Sequence, residues 1–424
     1  MKADRLTYYR FNHEDSLYQL AGLFELIDKN PDQLKASEDI FYQSISQLVA
    51  LCISHGFYGN VWHLAITNFL VNHENAYSLS CEMTGDNLTG SISGIALRDF
   101  TILYELFQLK LDTFKAYFDY DYSSLANFDA KENKGYKFNS RIRDRIIELN
   151  ASLEAALDPK TFKSAVAEFY REYGVGKLGL HKAFRIEEGG VIVPVTNITH
   201  VKLDDLIGYE IQKQELVANT ESFLAGKKAN NALLFGDAGT GKSTSIKAIC
   251  NEYYKDGLRL IEIYKHQLHD IHHVISQIKS RKYKFIIYMD DLSFEEFETE
   301  YKYLKAVIEG GLEKKPDNVL IYATSNRRHL IRESFNDKSD TDDLHKNDTV
   351  QEKLSLSYRF GCKIYYGSPS KKEFNQIVVG LKDRYKVNMA DKDLLAEANK
   401  WELSHGGLSG RCAQQFIDYI LGQQ

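Results

Sequence analysis

A chain of 424 residues is too long for a single ordinary hydrophobic core, so we expect two or three domains. Hydrophobic residues make up 43% of the sequence and charged residues 26%, which excludes a collagen-like or intrinsically disordered protein. The net charge is −6 and Lys and Arg are scattered along the chain, which argues against a protein whose main role is to coat nucleic acid.

Cysteine usage and the first residues predict a cytoplasmic protein. The five cysteines are odd in number and far apart, as is typical of free thiols in a reducing compartment. The N-terminus lacks the apolar core of a secretory signal. The stretch from Ile40 to His73 contains no Asp, Glu, Lys or Arg, but Gly56 and Gly59 break it and several amide and His side chains interrupt it. We therefore expect two buried helices joined by a turn, and no membrane partner.

Residues 1–185 are predicted to form a mostly α-helical N-terminal domain, rich in aromatic side chains. The clearest helical stripe is made by apolar residues at spacings of three and four: Phe100, Leu103, Tyr104, Phe107 and Leu111. We expect this domain to bind a protein partner, but its sequence does not identify one.

The residue pattern changes from helical to strand-like between residues 186 and 202. Gly189 and Gly190 precede the β-branched run Val191–Val195, which contains a proline. This pattern predicts a linker with a short strand or hairpin.

Residues 203–367 alternate short apolar runs with helical patterns such as Ser243–Tyr254 and Glu296–Glu309. This alternation predicts an α/β core with a parallel sheet covered by helices. Residues 368–424 contain only helical patterns and predict a small helical lid. The predicted strands are Ala232–Phe235, Leu258–Ile263, Phe285–Met289, Val319–Ala323 and Cys362–Tyr366.

A phosphate-binding loop follows the first of these strands and opens a helix. The segment from Gly236 to Ser243 matches the pattern G-x-x-x-x-G-K-[S/T] at every fixed position. Glycines let backbone N–H groups approach phosphate oxygens, and the helix N-terminus favours the same anion. Lys242 is expected to reach the β- and γ-phosphates of ATP, and the Ser243 hydroxyl to ligate Mg²⁺. The predicted nucleotide-binding residues of this loop are Gly236, Asp237, Ala238, Gly239, Thr240, Gly241, Lys242, Ser243 and Thr244.

An acidic pair follows the strand Phe285–Met289. Asp290 is placed to hold Mg²⁺, and Asp291 to orient the attacking water. On its own such a pair is more often a turn or a helix N-cap, but next to a phosphate loop the catalytic interpretation is favoured.

Three further polar residues stand where a nucleotide site would need charge control. Asn326 follows the next apolar strand and is predicted to hydrogen-bond the γ-phosphate or the water; the alternative is a simple loop cap. Arg359 is predicted to be an arginine finger, the alternative being a surface salt bridge. Arg411, near the start of a lid helix, is predicted to reach the nucleotide; the alternative is a side chain that only makes the helix surface soluble.

These pieces, in this order, resemble the AAA+ superfamily. Residues 323–330, 352–361 and 407–411 also resemble a prokaryotic AAA+ family known only as a domain of unknown function. The resemblance covers roughly residues 170 to 424. It implies a Mg-ATPase core and lid in which Asn326 is sensor 1, Arg359 the finger and Arg411 sensor 2. It also implies that Ile207 and Gly208 line the adenine pocket.

The sequence departs from the AAA+ pattern in several places. Asp291 stands where many members have Glu, which is one methylene longer, so slow turnover is expected. Tyr358 stands where the narrower family tends to have an acid. Residues 336–350 are polar and acidic, which predicts a mobile loop before the finger. Residues 264–269, after the second strand, lack the glycine of an unfoldase pore loop.

Three function classes therefore stay open. The first is a self-assembling AAA+ ATPase that remodels a protein partner bound by the N-terminal domain. The second is a slow ATP-dependent switch. The third is a DNA-linked ATPase of the loader type. For the third, the one dense basic run is Lys279–Lys284, which fits a solvated strand entry better than a DNA contact.

Overall fold

The computed structural model describes residues 2–130, 138–196, 198, 200–294, 300–309, 315–327, 330 and 356–423. Its contacts divide the chain into two compact units, Met1–Leu180 and His181–Gln424.

The first unit is built from α-helices with one large aromatic-rich core. Helix starts are specified by local capping: in α9, for example, Asp158 caps the backbone N–H of Thr161, and Pro159 stands at the first helical position. The helices are α1 (Ser16–Lys29), α2 (Pro31–Lys35), α3 (Glu38–His55), α4 (Val61–Asn72), α5 (Ala76–Thr84), α6 (Gly90–Phe107), α7 (Tyr122–Ala126), α8 (Ser140–Glu154), α9 (Pro159–Tyr173) and α10 (Gly176–Leu180). Two short strands, β1 (Tyr58–Gly59) and β2 (Phe128–Asp129), pair antiparallel.

The uncharged stretch from Ile40 to His73 forms α3 and α4, as predicted. Gly56 ends α3 in the left-handed conformation (φ 66°), which lets the chain turn back between the two helices. The described residues contain no helix with the length and apolarity needed to cross a bilayer.

The predicted aromatic stripe is mostly confirmed. Phe100, Leu103 and Phe107 are buried on α6 and belong to the core of the unit. Helix α6 ends at Phe107, however, so Leu111 begins a separate 3-10 turn rather than extending the same helix.

The second unit contains a seven-stranded sheet in the order β4-β3-β6-β7-β8-β5-β9. All neighbouring strands are parallel except β3 and β4. The strands are β3 (Ala183–Glu187), β4 (Val191–Pro194), β5 (Ala232–Gly236), β6 (Leu258–Glu262), β7 (Lys284–Met289), β8 (Val319–Ser325) and β9 (Cys362–Tyr366). The helices are α11 (Glu210–Leu224), α12 (Lys242–Tyr253), α13 (Ile271–Ile278), α14 (Tyr301–Glu309), α15 (Lys371–Tyr385), α16 (Asp391–Ser404) and α17 (Gly410–Leu421).

The region predicted as a linker holds the expected hairpin, but this hairpin belongs to the main sheet. Strands β3 and β4 pair antiparallel, and β3 also pairs parallel with β6. From Phe184 onward β3 alternates as a sheet strand does: Phe184 and Ile186 are buried, and Arg185 and Glu187 are exposed. The contact division of the chain falls after Leu180, before this hairpin.

The five strands predicted for the core are confirmed to within two residues at each end. Their order, β6-β7-β8-β5-β9, places the strand of the phosphate loop between β8 and β9. Of the helix predicted for residues 296–309, the part from Tyr301 onward is observed as α14, and residues 296–299 lie outside the described residues. The predicted mobile loop of residues 336–350 also lies outside them.

The last three helices pack on one another around a core of their own, which includes Phe374, Leu394 and Phe416. The first of them, α15, begins with a capping box between Ser370 and Glu373. The helical lid predicted for the C-terminal segment is therefore present.

Candidate functional site

The phosphate loop connects β5 to α12, and its glycines are required by close approach. Gly236 has φ 132°, and a Cβ added there would lie 2.1 Å from the carbonyl oxygen of Tyr366. Gly241 has φ 93°, and its Cβ would lie 2.3 Å from Leu206 Cδ1. No residue with a side chain fits either position without moving its neighbours. The loop is thus held against both β9 and the segment before α11.

Lys242 lies buried at the start of α12, and its ammonium group faces the loop. Nζ donates to the carbonyl oxygens of Gly236 (3.0 Å) and Asp237 (2.6 Å) and to Oδ1 of Asn326 (3.0 Å). Burial lowers the pKa of Lys242, against the opposite effect of the nearby carboxylates of Asp237, Asp291 and Asp290. The cation is therefore fixed at the centre of the predicted phosphate site.

Ser243 and Asp290 are brought together across the gap between α12 and β7. Ser243 Oγ donates to Asp290 Oδ1 at 2.6 Å, and Thr324 Oγ1 donates to the same oxygen at 2.6 Å. Partial burial would raise the pKa of Asp290, but these two hydrogen bonds, together with the Tyr288 hydroxyl and the charge of Lys247, leave the pKa below its ordinary value. The carboxylate is thus held in its charged form.

Asp291 adopts an unusual backbone conformation. Its φ of 48° lies in the left-handed region, which costs a residue with a side chain about 1–3 kcal/mol. Its N–H donates to Thr324 Oγ1 at 2.9 Å, and its carboxylate accepts from Asn326 Nδ2 at 2.8 Å. Thr324 of the neighbouring strand β8 therefore holds the backbone of Asp291, and Asn326, just after that strand, holds its carboxylate.

These contacts form one continuous hydrogen-bonded series, which we call the polar relay. It consists of Lys242, Asn326, Asp291, Thr324, Asp290 and Ser243. The residues come from the ends of β7 and β8 and the start of α12. Since the carboxyl ends of parallel strands share one edge of a sheet, the topology brings them together.

The lid touches the phosphate loop directly. The backbone N–H of Arg411 donates to the carbonyl oxygen of Gly239 at 3.1 Å. Ser409 caps the same helix, α17, through Oγ and the N–H of Cys412 (3.1 Å). The start of α17 is thus anchored to the tip of the loop, and Arg411 lies at the candidate site.

A cavity of about 680 Å³ opens between the loop, the polar relay and the lid. At one side its walls are apolar and come from the segment before α11 and from α15. There Arg384 pairs with Asp205 (3.1 Å) and links the lid to that segment. Burial raises the pKa of Tyr209, another wall residue, to about 12, so its hydroxyl stays protonated and donates to the carbonyl oxygen of Gly367 (2.8 Å). The apolar walls include Val201, Leu206, Ile207, Ile377 and Leu381.

Most of the predicted site residues line this cavity. They are Ile207, Ala238, Gly239, Thr240, Gly241, Lys242, Ser243, Thr244, Asp290, Asp291, Asn326 and Arg411.

Four predicted site residues do not line it. Gly236 and Asp237 act through the backbone instead: the N–H of Asp237 donates to Tyr366 (2.9 Å), and its carboxylate accepts from the N–H of Ser368 (2.7 Å). Gly208 turns the chain before α11 with φ 82°. Arg359 is half-buried just after a short helical turn, and its N–H donates to the carbonyl oxygen of Leu356.

Sequence reasoning missed Thr324, which stands at the middle of the polar relay. It is the penultimate residue of β8 and is buried. Its hydroxyl follows an apolar strand, two residues before Asn326, and that position was the signal available. Arg384 was also missed, since only the folded lid brings it to the cavity.

The residues present suit Mg²⁺. Among the described residues, no group of three or more His, Cys, Asp or Glu side chains is arranged to hold a metal. Mg²⁺ does not need such a cage, because it usually takes one or two protein oxygens, several waters and the phosphates of a substrate. The Ser243 hydroxyl and the Asp290 carboxylate, already 2.6 Å apart, are oxygen ligands of that kind.

Comparison with known proteins identifies a family for this unit. The profile of the family described as "Protein of unknown function (DUF815)" matches residues 179–424, more than half of the chain. The chain belongs to this family. Because the DUF815 match begins at residue 179, it covers the sheet, the phosphate loop and the lid but not the helices before α10.

More distant likenesses are weaker. Two structures of Thermotoga maritima RuvB mutants are each 14% identical, with a TM-score of 0.33; they cover 51% of this chain and 71% or 72% of their own. A segment of 58 residues is 41% identical to the Replication factor C large subunit of Methanococcus vannielii. That segment is 14% of this DUF815 chain and 12% of the relative, so the chain spans about an eighth of that protein's length.

Proposed function

We propose that this chain is a Mg-dependent ATP-binding and ATP-hydrolysing AAA+ protein that self-assembles and remodels a protein partner. The observation that carries the proposal is the polar relay. It places one cation, two hydroxyls, two carboxylates and one amide along a single hydrogen-bonded series beside the phosphate loop. These are the groups that phosphoryl transfer to water requires.

In this proposal each group has a separate task. Lys242 neutralises the β- and γ-phosphates, and the N–H groups of the loop hold their oxygens. Ser243 and Asp290 would hold Mg²⁺, which supplies charge neutralisation to the phosphates when bound. Asp291 accepts a proton from, and orients, the attacking water, while Asn326 fixes the position of that carboxylate.

The other end of the cavity suits adenosine. The volume of the whole cavity, about 680 Å³, is within the range of small-molecule sites, roughly 300–1,000 Å³. Ile207 and the lid residues Ile377 and Leu381 offer apolar surface to a base. Arg411 enters the same cavity from the lid and is placed to respond to the phosphates.

Self-assembly is proposed because of Arg359. This residue does not line the cavity of its own chain among the described residues. An arginine finger in such a position would act on the site of a neighbouring copy, where it is typically worth about 10³–10⁵ in rate. The exposed side chain beside it, Tyr358, is 70% accessible and would be covered by such a neighbour.

The second candidate is a slow ATP-dependent switch. It is favoured by one observation: the carboxylate of Asp291 is short and already engaged by Asn326, at 2.8 Å. Hydrolysis would then be limited by release of Asp291 from this contact.

A DNA-linked ATPase is less supported. Within the basic run Lys279–Lys284, Arg281 is buried and Lys284 begins β7, with its Nζ donating to the carbonyl oxygen of Asp317 (3.1 Å). Arg281 and Lys284 therefore contribute to the folded structure and not to an exposed basic surface. A cytoplasmic location suits the five cysteines, all of which are free thiols.

The test is ATP turnover per chain over a wide range of protein concentration. Turnover is expected to rise with concentration in the wild type and to fall at least about 10³-fold in Arg359→Ala. Lys242→Ala is the blank. Arg185→Ala is the matched control, since Arg185 is an exposed arginine on β3, away from the cavity. Turnover that is flat with concentration and indifferent to Arg359 would refute self-assembly and favour the switch.

A further inference from the structure

The helical unit contains a groove that is separate from the candidate nucleotide site. It lies between the start of α1 and the helices α3 and α4, and its volume is about 510 Å³. Its floor is apolar: Leu48 and Ala65 are buried, and Phe69 is half-buried beside them. A concave apolar floor of this size is typical of ligand sites.

Amide side chains stand along the walls of the groove. Gln47 of α3 and Asn68 and Asn72 of α4 line it. Nδ2 of Asn72 donates to Oδ1 of Asn68 at 3.1 Å, which leaves the Asn68 donor and the Asn72 acceptor outside that bond. Within the described part of the chain, the amide of Gln47 makes no hydrogen bond. The groove therefore offers both donors and acceptors next to an apolar floor.

The spacing of these amides fits an extended polypeptide. Asn68 and Asn72 are one turn apart on α4, a rise of about 6 Å. In an extended chain, backbone groups that face the same side recur every two residues, about 6.6 Å apart. The two asparagines can thus pair with an N–H or C=O of alternate residues, while a side chain between them reaches the floor.

The charge of the rim selects a basic ligand. Glu14 and Asp15, just before α1, line the groove and are exposed; two histidines, His55 and His73, also line it, and no Lys or Arg is among its described lining residues. Asp15 accepts from the N–H of Asn12 with Oδ2 (3.0 Å), which leaves its other oxygen outside that bond. An anion such as a lipid headgroup or nucleic acid would be repelled by these carboxylates.

We propose that this groove binds an extended protein segment carrying Lys or Arg next to apolar side chains. The backbone of the segment pairs with the amides of Asn68, Asn72 and Gln47, its apolar side chains cover Leu48 and Phe69, and its cation meets Glu14 and Asp15. This assignment deepens the proposed function and rests on it in one respect, namely that the segment belongs to the partner on which the ATPase acts.

The test uses the full chain without nucleotide and a fluorescein-labelled heptapeptide, Lys-Lys-Ser-Leu-Ser-Leu-Ser. Fluorescence anisotropy gives its Kd and those of two peptides in which Glu replaces Lys or Gly replaces Leu. The original heptapeptide, here the Lys-Leu peptide, is expected to bind more tightly than either replacement peptide. The double variant E14Q/D15N should weaken it about 2- to 30-fold, since each exposed ion pair contributes about 0.2–1 kcal/mol.

A second pair of variants separates recognition from folding. Q47A/N68A removes the amides and is expected to weaken the peptide about 5- to 100-fold. The controls are Glu38→Gln and Gln43→Ala, exposed residues of α3 that do not line the groove. Equal affinities for the Lys and Glu peptides, or affinities unchanged in both groove variants, would overturn the proposal.

The link to ATP is tested by two further measurements. Binding of the Lys-Leu peptide should persist in Lys242→Ala, which blocks turnover, so a failed ATPase proposal would leave the groove result standing. In the wild type, saturating peptide should change ATP turnover at least about 2-fold. Unchanged turnover with intact binding would overturn the identification of the segment as the partner of the ATPase.

Discussion

Replacing Thr324 by valine removes the hydroxyl at the middle of the polar relay and keeps the shape of the side chain. Two hydrogen bonds disappear: one from the N–H of Asp291 (2.9 Å) and one to Oδ1 of Asp290 (2.6 Å). Both aspartates are exposed enough for water to compensate in part, so we expect a loss of about 1–2 kcal/mol in the free energy of unfolding. For a unit of this size, that loss corresponds to a fall in Tm of about 2–8 °C.

The effect on activity should be larger than the effect on stability. Asp291 has a left-handed backbone, and the Thr324 hydroxyl accepts its N–H while Asn326 holds its carboxylate. A carboxylate displaced by about 1 Å from the attacking water costs about 100-fold in rate. We therefore expect ATP turnover at saturating nucleotide to fall about 10- to 100-fold in Thr324→Val, with ATP affinity changed much less.

Thr220→Val is the matched control. Thr220 is another buried threonine whose hydroxyl makes two hydrogen bonds, to the carbonyl oxygen of Leu216 (2.8 Å) and with the hydroxyl of Tyr322 (2.9 Å). It should lose comparable stability and keep its turnover, whereas Thr324→Ser should retain most of both. If Thr324→Val and Thr220→Val lose equal stability and have the same ATP turnover, Thr324 has no role in positioning the acidic pair.

Three further predictions follow from the same unit. Gly236→Ala should lower the free energy of unfolding by more than about 3 kcal/mol, because the added Cβ meets the backbone of β9. Gly226→Ala, where φ is 71° and the space around the residue is open, should lower it by only about 1–2 kcal/mol. Thermal unfolding measures both losses. Arg411→Ala should weaken ATP binding about 10-fold, and Arg411→Lys less, as measured by calorimetry. Ser243→Ala removes a hydrogen bond that lowers the pKa of Asp290 below 3.8 in the folded protein. The loss in the free energy of unfolding of this variant should therefore be complete above pH 3.8 and should shrink as the pH falls through the lower pKa of the folded state. A loss that stays constant from about pH 7 to 2 would contradict this.

Local pattern was enough to predict the parallel-sheet core and the C-terminal helical lid. The phosphate loop, the acidic pair and Asn326 each follow an apolar run, and parallel strands then bring their ends to one edge of the sheet. The aromatic stripe of α6 was also correct as far as Phe107. These features depend on residues close in sequence, which is why the sequence reveals them.

Features that depend on distant contacts were not predictable. The pattern of Val191–Val195 indicates a strand, but nothing local shows that β3 pairs with β6 and extends the main sheet. Thr324 looked like an ordinary strand residue until the fold placed it between two aspartates. Arg384 reaches the cavity only because the lid folds back over the loop, a long-range event without a sequence motif.

The bond between Arg411 and Gly239 joins two main-chain groups. Exchanging the Arg411 side chain therefore leaves the donor in place, so a variant such as Arg411→Ala tests the guanidinium alone. Proline at position 411 would be different, because it lacks the N–H that donates. Since that position is also close to the N-terminus of α17, where the helix accepts proline, the substitution Arg411→Pro offers a way to disconnect the lid from the phosphate loop while keeping the helix.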